Sequence, residues 1–140
     1  IMYENLLNYM KTLENLNINL LFDRTFFTEE NYCRLGFKDY SFTEVYNELV
    51  QKLSKLDFDI YYITLYLEDE NLFEQRLKRD GKATVKYAKF EKESSIKQQN
   101  TYLEMADELA QKYPKIHVHK IENGKDLEKT KQKLKEILKF

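Results

Sequence analysis

The sequence predicts an α/β fold, a three-layer arrangement in which a parallel sheet of three strands is flanked by helices, in a single domain covering residues 1–140. Three observations predict it. Phe58 to Leu67, with Ile60, Tyr61, Tyr62, Ile63, Leu65 and Tyr66, is β-branched and aromatic nearly throughout, as in a strand buried on both faces. Ile18-Asn19-Leu20-Leu21-Phe22 is a shorter apolar run that ends abruptly in Asp23-Arg24, the way a buried parallel strand delivers charge to the carboxyl edge of a sheet. Helical stretches separate all the strand candidates, so none lie a hairpin apart, and such crossovers imply parallel, right-handed connections. An all-α fold is the structural alternative, and the aromatic run at 58–67 argues against it.

In chain order, Met2, Leu6, Tyr9 or Met10, Leu13 and Leu16 recur at three- and four-residue spacing and predict a helix over 2–16. Asn15, Asn17 and Asn19 interrupt it before the strand at 18–22. Ser41 followed by Glu44 reads as a capping box for a helix over 42–56, with Val45, Tyr46, Leu49, Val50 and Leu53 on its apolar face. After the strand at 58–67, Glu68 and Asp69 favour the positive end of a helix bearing Leu72, Phe73 and Leu77, which Asp80-Gly81-Lys82 stops. Residues 81–92, with Lys82, Lys86, Lys89 and Lys92, lack an apolar period and read as a mobile basic segment. Ile96, Gln99, Tyr102, Leu103, Ala106 and Leu109 predict a helix over 94–112, broken at Pro114. A strand at 115–121, in which Ile121 falls one position out of phase, then a turn at Asn123-Gly124 and a Lys-rich helix with Leu127, Leu134, Ile137 and Leu138 close the chain.

Composition narrows the function classes. With 42% hydrophobic and 34% charged residues, and no apolar run of membrane-spanning length, neither disorder nor a membrane protein is expected. No secretory leader precedes the first helix, so the default expectation is a cytoplasmic protein. A net charge of −1 supplies no general field for nucleic acid, so anion binding must come from local clusters. Cys33, the one cysteine, excludes an internal disulfide and a multi-cysteine zinc site. The 11 tyrosines and 9 phenylalanines are expected to fill much of the core.

Two clusters carry chemistry. Asp23 can accept a proton or hold a metal-bound water, and the fork of Arg24 can grip a phosphate or carboxylate through two hydrogen bonds; an ordinary local ion pair is the plainer reading. Arg76 and Arg79, three apart on one helix, precede Lys82 and the basic segment. They read either as a solvated charged face or as the root of a lid, about 79–93, that brings positive charge over transferring phosphates and excludes water. Phe26, Phe27, Tyr32 and Phe37 suit core packing or stacking on a base. His117 and His119 share one strand face without a third ligand nearby and read as a structural pair, not a zinc site. Arg34 beside Cys33 would lower the thiol pKa, although a plain reduced thiol fits better.

Asp23-Arg24-Thr25-Phe26-Phe27-Thr28-Glu29-Glu30-Asn31-Tyr32 resembles the thymidylate kinase pattern of Asp-Arg-aromatic, a small hydroxyl residue, then Ala-Tyr-Gln, with Asp23, Arg24, Thr28 and Tyr32 in register. Thr25 departs from the aromatic, and Cys33 stands at the Gln; Thr25 is closer to the Ser of the deoxynucleoside kinases. Asp59 to Leu67 with Glu70 to Gly81 is similar to that family's strand and Arg-x-x-Arg-x-Gly helix, Lys89-Phe90-Glu91 to its Arg-Phe-Glu, and Tyr102-Leu103-Glu104-Met105-Ala106 to its Tyr-x-x-Leu-Ala. The resemblance implies the carboxyl-terminal two-thirds of a P-loop nucleotide kinase fold that transfers the ATP γ-phosphoryl group, with Mg2+, to a nucleoside monophosphate. By the same resemblance Asp23 and Arg24 are the catalytic pair, Arg24, Phe27 and Tyr32 hold the acceptor, and Arg76, Arg79 and Lys82 serve ATP and the lid. Magnesium has no direct protein ligand and comes with ATP, Asp23 reaching it through water.

The family's Gly-rich phosphate loop is missing: the three glycines are Gly36, Gly81 and Gly124. In that fold the strand carrying the loop lies between the strands at 18–22 and 58–67, so both are expected to face a gap with unpaired backbone groups. The expectation is that about 70 preceding residues are absent here, or that the domain has rearranged or paired with another chain, and that residues 1–140 alone are inactive. The expected partner is a nucleotide or nucleoside, with no nucleic acid and no membrane, and a homodimer as the candidate assembly. A deoxynucleoside kinase and a non-catalytic nucleotide-binding or assembly domain are the rival readings.

Overall fold

A computed structural model describes residues 2–79 and 92–139. It is a mixed α/β structure in which helices flank a small sheet of two parallel strands. The order is α1 (Met2–Thr12), α2 (Phe26–Arg34), α3 (Thr43–Ser54), β1 (Tyr61–Tyr66), α4 (Asn71–Arg79), α5 (Lys92–Lys112), β2 (His117–Glu122) and α6 (Leu127–Leu138). Tyr61 pairs with His117 and Tyr66 with Glu122, and the ladder is extended at both ends: His117 N–H donates to Ile60 O at 2.8 Å and Asn123 N–H to Tyr66 O at 2.7 Å.

The expected third strand does not form. Residues 17–22 run without a ladder, leaving Leu21 95% exposed and Phe22 43% exposed. Among the described strands β1 pairs only with β2, so this segment has no neighbour to form a ladder with, and Ile18 N–H donates locally to Leu16 O at 2.9 Å. Leu20 alone of this run packs against the core. The sheet therefore has two strands instead of the expected three, and the three-layer arrangement is not formed among the described residues.

Aromatic rings make the interior, as expected. Phe26 is 2% exposed and stacks on Phe27 at 4.7 Å, Tyr3 meets both Phe26 and Phe42 edge-on at 5.9 Å, and Phe27 reaches Tyr46 at 5.7 Å and Tyr62 at 4.9 Å. Leu7 and Met10 of α1, Leu49, Val50 and Leu53 of α3, and Met105 and Leu109 of α5 close around them. The phase slip in β2 has a plain origin. Val118 stands opposite Tyr62 against this core, whereas Ile121 stands opposite Leu65 on the other face and is buried there.

The Ser41 capping box is not used. Helix α3 begins after Phe42 without a side-chain cap, and the Thr43 hydroxyl instead donates to Glu30 Oε1 at 3.3 Å. Asp69 and Asp126 do cap as the acidic helix starts suggest, accepting from Asn71 N–H at 3.0 Å and Lys129 N–H at 3.2 Å.

Past the end of β1 a side chain stands in for a strand. Leu67 N–H donates to Gln99 Oε1 at 2.7 Å, and Gln99 Nε2 donates back to Leu67 O at 3.0 Å. Because Leu67 is buried, Gln99→Ala strands both groups and is expected to lower stability by about 1–3 kcal/mol, read from the urea midpoint at unchanged slope. A second expectation concerns pH. Burial raises the Tyr46 and Tyr62 hydroxyls well above the ordinary 10.0, so the folded state keeps them neutral where the unfolded chain ionises them. Stability is thus full below about pH 10 and falls as pH rises toward the folded pKa values; Tyr62→Phe should make that alkaline decline shallower in denaturant titrations.

Candidate functional site

Asp23 and Arg24 lie exposed in the connection that enters α2. Arg24 has φ 70, a left-handed conformation that costs a residue with a Cβ roughly 1–2 kcal/mol. Thr25 follows in an extended conformation as the N-cap of α2, its hydroxyl accepting from Phe27 N–H. The cationic side chain therefore arises beside the positive end of a helix, where anions are favoured.

Helix α2 was not foreseen as a helix, because its buried face is polar. Phe26, Glu30 and Asn31 are the buried residues, so the apolar period on which sequence reading depends is broken. The signals present were the Thr25 cap and Glu29 in the first turn. The helix ends in a Schellman turn: Gly36 takes φ 78, its N–H donates to Cys33 O at 3.1 Å, and Phe37 N–H donates to Tyr32 O at 3.0 Å. The ring contact that accompanies this motif is Tyr32 with Phe37, at 5.6 Å. Tyr32 is thereby fixed at one end of α2 and Arg24 at the other.

Helix α5 supplies the opposite wall. Tyr102 Oη donates to Thr28 Oγ1 at 3.1 Å, and Asn31 Nδ2 donates to Gln98 O at 3.0 Å. Burial raises the Tyr102 pKa, the Thr28 hydrogen bond lowers it, Tyr32 and Asp23 raise it, and Arg24 lowers it. The Tyr102–Thr28 hydrogen bond is the direct contact that joins α5 to this part of α2. Tyr102 lies three residues from Gln99, about 4.5 Å of helix rise, and Gln99 grips Leu67 at the carboxyl end of β1.

Arg76 of α4 reaches the carboxyl end of β2. Its Nη2 donates to Asn123 O at 2.8 Å and Gly124 O at 3.1 Å, in the loop that leaves β2. This is a specific docking onto backbone carbonyls, not a solvated position. Arg79 is the last residue of α4 and is exposed. Lys82 and residues 80–91 of the expected lid lie outside the described residues. Phe27 sits in the aromatic core as described, so its first role is to support Tyr46 and Tyr62.

The clamp behind the site escaped sequence reading. Glu30, fully buried, accepts from Arg34 Nε at 3.0 Å, and Arg34 Nη1 donates to Glu108 Oε2 of α5 at 2.7 Å. Arg34 also lies 5.9 Å from the Tyr46 ring. A cleft of about 120 Å³ between Arg34, Tyr46, Glu108 and Tyr113 lies beside it, on ground unrelated to Asp23 or Arg76. Arg34 does not activate Cys33: burial, Glu29 and Glu30 raise the thiol pKa above its usual value against the smaller opposing effect of Lys38. His117 and His119 stack on Tyr61, at 4.6 and 6.3 Å, and the described residues contain no group of three His, Cys, Asp or Glu able to hold a metal. No described helix is long and apolar enough to cross a membrane.

Comparisons with protein-family models, with curated proteins and with solved structures find no match to this chain.

Arg34→Met would leave the Glu30 carboxylate buried with only Thr43 beside it. A loss of about 3–5 kcal/mol is expected in chemical denaturation, with most of it recovered in the double variant Glu30→Leu/Arg34→Met.

Proposed function

We propose that residues 1–140 carry the acceptor-binding and lid-bearing part of a nucleotide kinase resembling thymidylate kinase, which transfers the ATP γ-phosphoryl group to a nucleoside monophosphate. The observation that carries the reading is Arg24, an exposed guanidinium held at φ 70 beside the N-terminus of α2, whose first turn carries the Thr28 hydroxyl met by Tyr102. Backbone strain in a residue with a side chain is maintained where the surrounding structure imposes it, and such positions cluster at binding sites. In this reading Arg24 grips the acceptor phosphate while the first N–H groups of α2 face the same anion. Tyr32 lines the base pocket, Phe27 backs it, and the Thr28 hydroxyl, which accepts from Tyr102, keeps its own hydrogen for the acceptor.

The ATP side is assigned to Arg76, whose guanidinium, anchored on the Asn123 and Gly124 carbonyls, offers a flat face for adenine. Arg79 and Lys82 approach the phosphates when the lid closes. Magnesium would enter with the ATP phosphates, and Asp23 would orient its water shell. The phosphate cradle itself is not among these functions, because residues 1–140 contain no Gly-rich loop. That same observation favours a second reading, a non-catalytic nucleotide-binding or assembly domain.

Binding is therefore the proper readout. Calorimetric titration should detect thymidine monophosphate but not thymidine, and Arg24→Ala should weaken the monophosphate by about 2–5 kcal/mol. Arg24→Gly, which relieves the left-handed strain, should lose the same affinity while gaining stability. Equal binding of thymidine would favour the deoxynucleoside kinase, and binding of neither would refute a nucleotide site here. If the monophosphate binds, phosphoryl transfer by a chain that also contains the phosphate loop separates the kinase from the binding domain.

A further inference from the structure

Helix α6 is attached to the body differently from the other long helices. It rests on β2, but of its residues Thr130 alone is buried, Leu134, Ile137 and Leu138 are half-buried, and Leu127 is 57% exposed. Its polar contacts stay within the helix. Lys129 N–H donates to Asp126 Oδ1, Thr130 Oγ1 to Asp126 O, Lys131 Nζ to Glu128 Oε1 and Gln132 Nε2 to Glu136 Oε1. Among the described residues no hydrogen bond or ion pair joins residues 126–139 to another element, whereas Gln99, Tyr102 and Glu108 tie α5 to β1 and α2. An element held by a few half-buried apolar side chains opens at lower cost than one bonded into the core.

The charge of α6 is also distinct. Lys125, Lys129, Lys131, Lys133, Lys135 and Lys139 stand against Asp126, Glu128 and Glu136, in a chain of net charge −1, so a basic helix sits on an acidic body. All six lysines are exposed. Their placement matters more than their number. At 3.6 residues per turn, Leu127, Thr130, Leu134, Ile137 and Leu138 fall within an arc of about 100°. Lys131 and Lys135 follow on one side of that arc and Lys133 and Lys129 on the other, while Glu128, Gln132 and Glu136 lie together on the far side.

We infer that α6 is a peripheral anchor for an anionic lipid bilayer: its apolar arc turns from the sheet to the acyl boundary, and the flanking lysines reach the lipid phosphates. A helix that lies in a bilayer surface needs an apolar face bordered by cations, whose stems run along the apolar surface while the ammonium groups stay at headgroup level. Helix α6 has that order of residues, with its acids farthest from the apolar arc. Nucleic acid is the poorer occupant, because a phosphate backbone approaching the far side meets Glu128 and Glu136 and gains nothing from the leucines. A second copy would set like charges against each other. The expectation of no membrane partner came with the lack of a spanning run, which a surface helix does not need. This inference is independent of the nucleotide reading.

Co-sedimentation of the chain with phosphatidylcholine vesicles, prepared with and without phosphatidylserine, tests it. Binding is expected when phosphatidylserine is present, should fall as salt is raised, and should weaken about fivefold for each of Lys131→Gln, Lys133→Gln and Lys135→Gln. The sequence contains no tryptophan, so Leu134→Trp supplies a single reporter on the apolar arc. Its fluorescence should be quenched by vesicles whose lipids carry bromine in the acyl chains. If circular dichroism shows that Leu134→Trp unfolds, Leu127→Trp, at an already exposed place on the same arc, takes over the measurement. Absence of binding, equal binding to phosphatidylcholine alone, a tryptophan that stays unquenched on bound vesicles, or tighter binding of duplex DNA lost in the same lysine variants would each overturn the proposal.

Discussion

The structure depends on the lateral ties that α5 makes along its length. Gln99 holds the end of β1, Gln98 O and Tyr102 hold α2, and Glu108 holds Arg34 of α2 one further stretch along. The apolar part of α5, Met105 and Leu109, lies between these polar contacts and fills the core. Dispersion and burial supply most of the adhesion but do not choose a rotation or a register. Hydrogen bonds to buried groups do, because a small slip would leave several of them unmade. One helix thereby fixes the positions of Leu67, Thr28 and Arg34 together.

A two-stranded sheet gives little stability of its own, so the packing around it has to compensate. Tyr62 is buried through Phe27, Val118 lies against the same core, and Lys120 of β2 pairs with Asp107 of α5. The opposite face is less complete: Ile121 is covered, but Tyr61 is shielded mainly by His117 and His119, and Leu65 is 46% exposed. The side of β1 away from β2 and the extended run at 17–22 have no ladder among the described strands. Of the run at 17–22, Leu20 alone packs inward.

What could be read from sequence follows from which physical signal each element carries. Helices α3, α5 and α6 and strand β2 carry an apolar period and β1 a near-continuous apolar run, and they fall close to the expected places, but β1 is not buried on both faces as expected, because nothing covers Tyr61 and Leu65 fully. The run at 18–22 carried the right residues for a strand and no neighbour to pair with, and β structure, unlike a helix, cannot satisfy its backbone within itself. Helix α2 failed in the opposite sense, since its inner face bears Glu30 and Asn31, whose partners are Arg34 one turn along the same helix and Thr43 and Gln98 from α3 and α5. Asp23, Arg24, Thr28 and Tyr32 were legible because they are close in sequence. Tyr102, Gln99 and the Arg76 docking on Asn123 and Gly124 were not, because each joins segments more than thirty residues apart.

The same reasoning explains why α2 is suited to present a ligand-binding surface. A helix whose inner face is apolar can rotate slightly with little loss, since dispersion contacts re-form in many arrangements. Helix α2 cannot: Glu30 is buried between Arg34 and Thr43, and Asn31 Nδ2 has its acceptor in Gln98 while its Oδ1 is buried without a partner. Rotating the helix would expose those groups to a dry interior with their partners misaligned, a penalty larger than the strain held at Arg24. The left-handed turn at Arg24 and the Schellman turn at Gly36 are then consequences of a rod that is already fixed, and Arg24, Thr28 and Tyr32 inherit its rigidity. Placing polar anchors on the inner face costs stability in α2 and leaves the outer residues with one geometry, the condition under which a small anion can be recognised by a guanidinium and a helix end together.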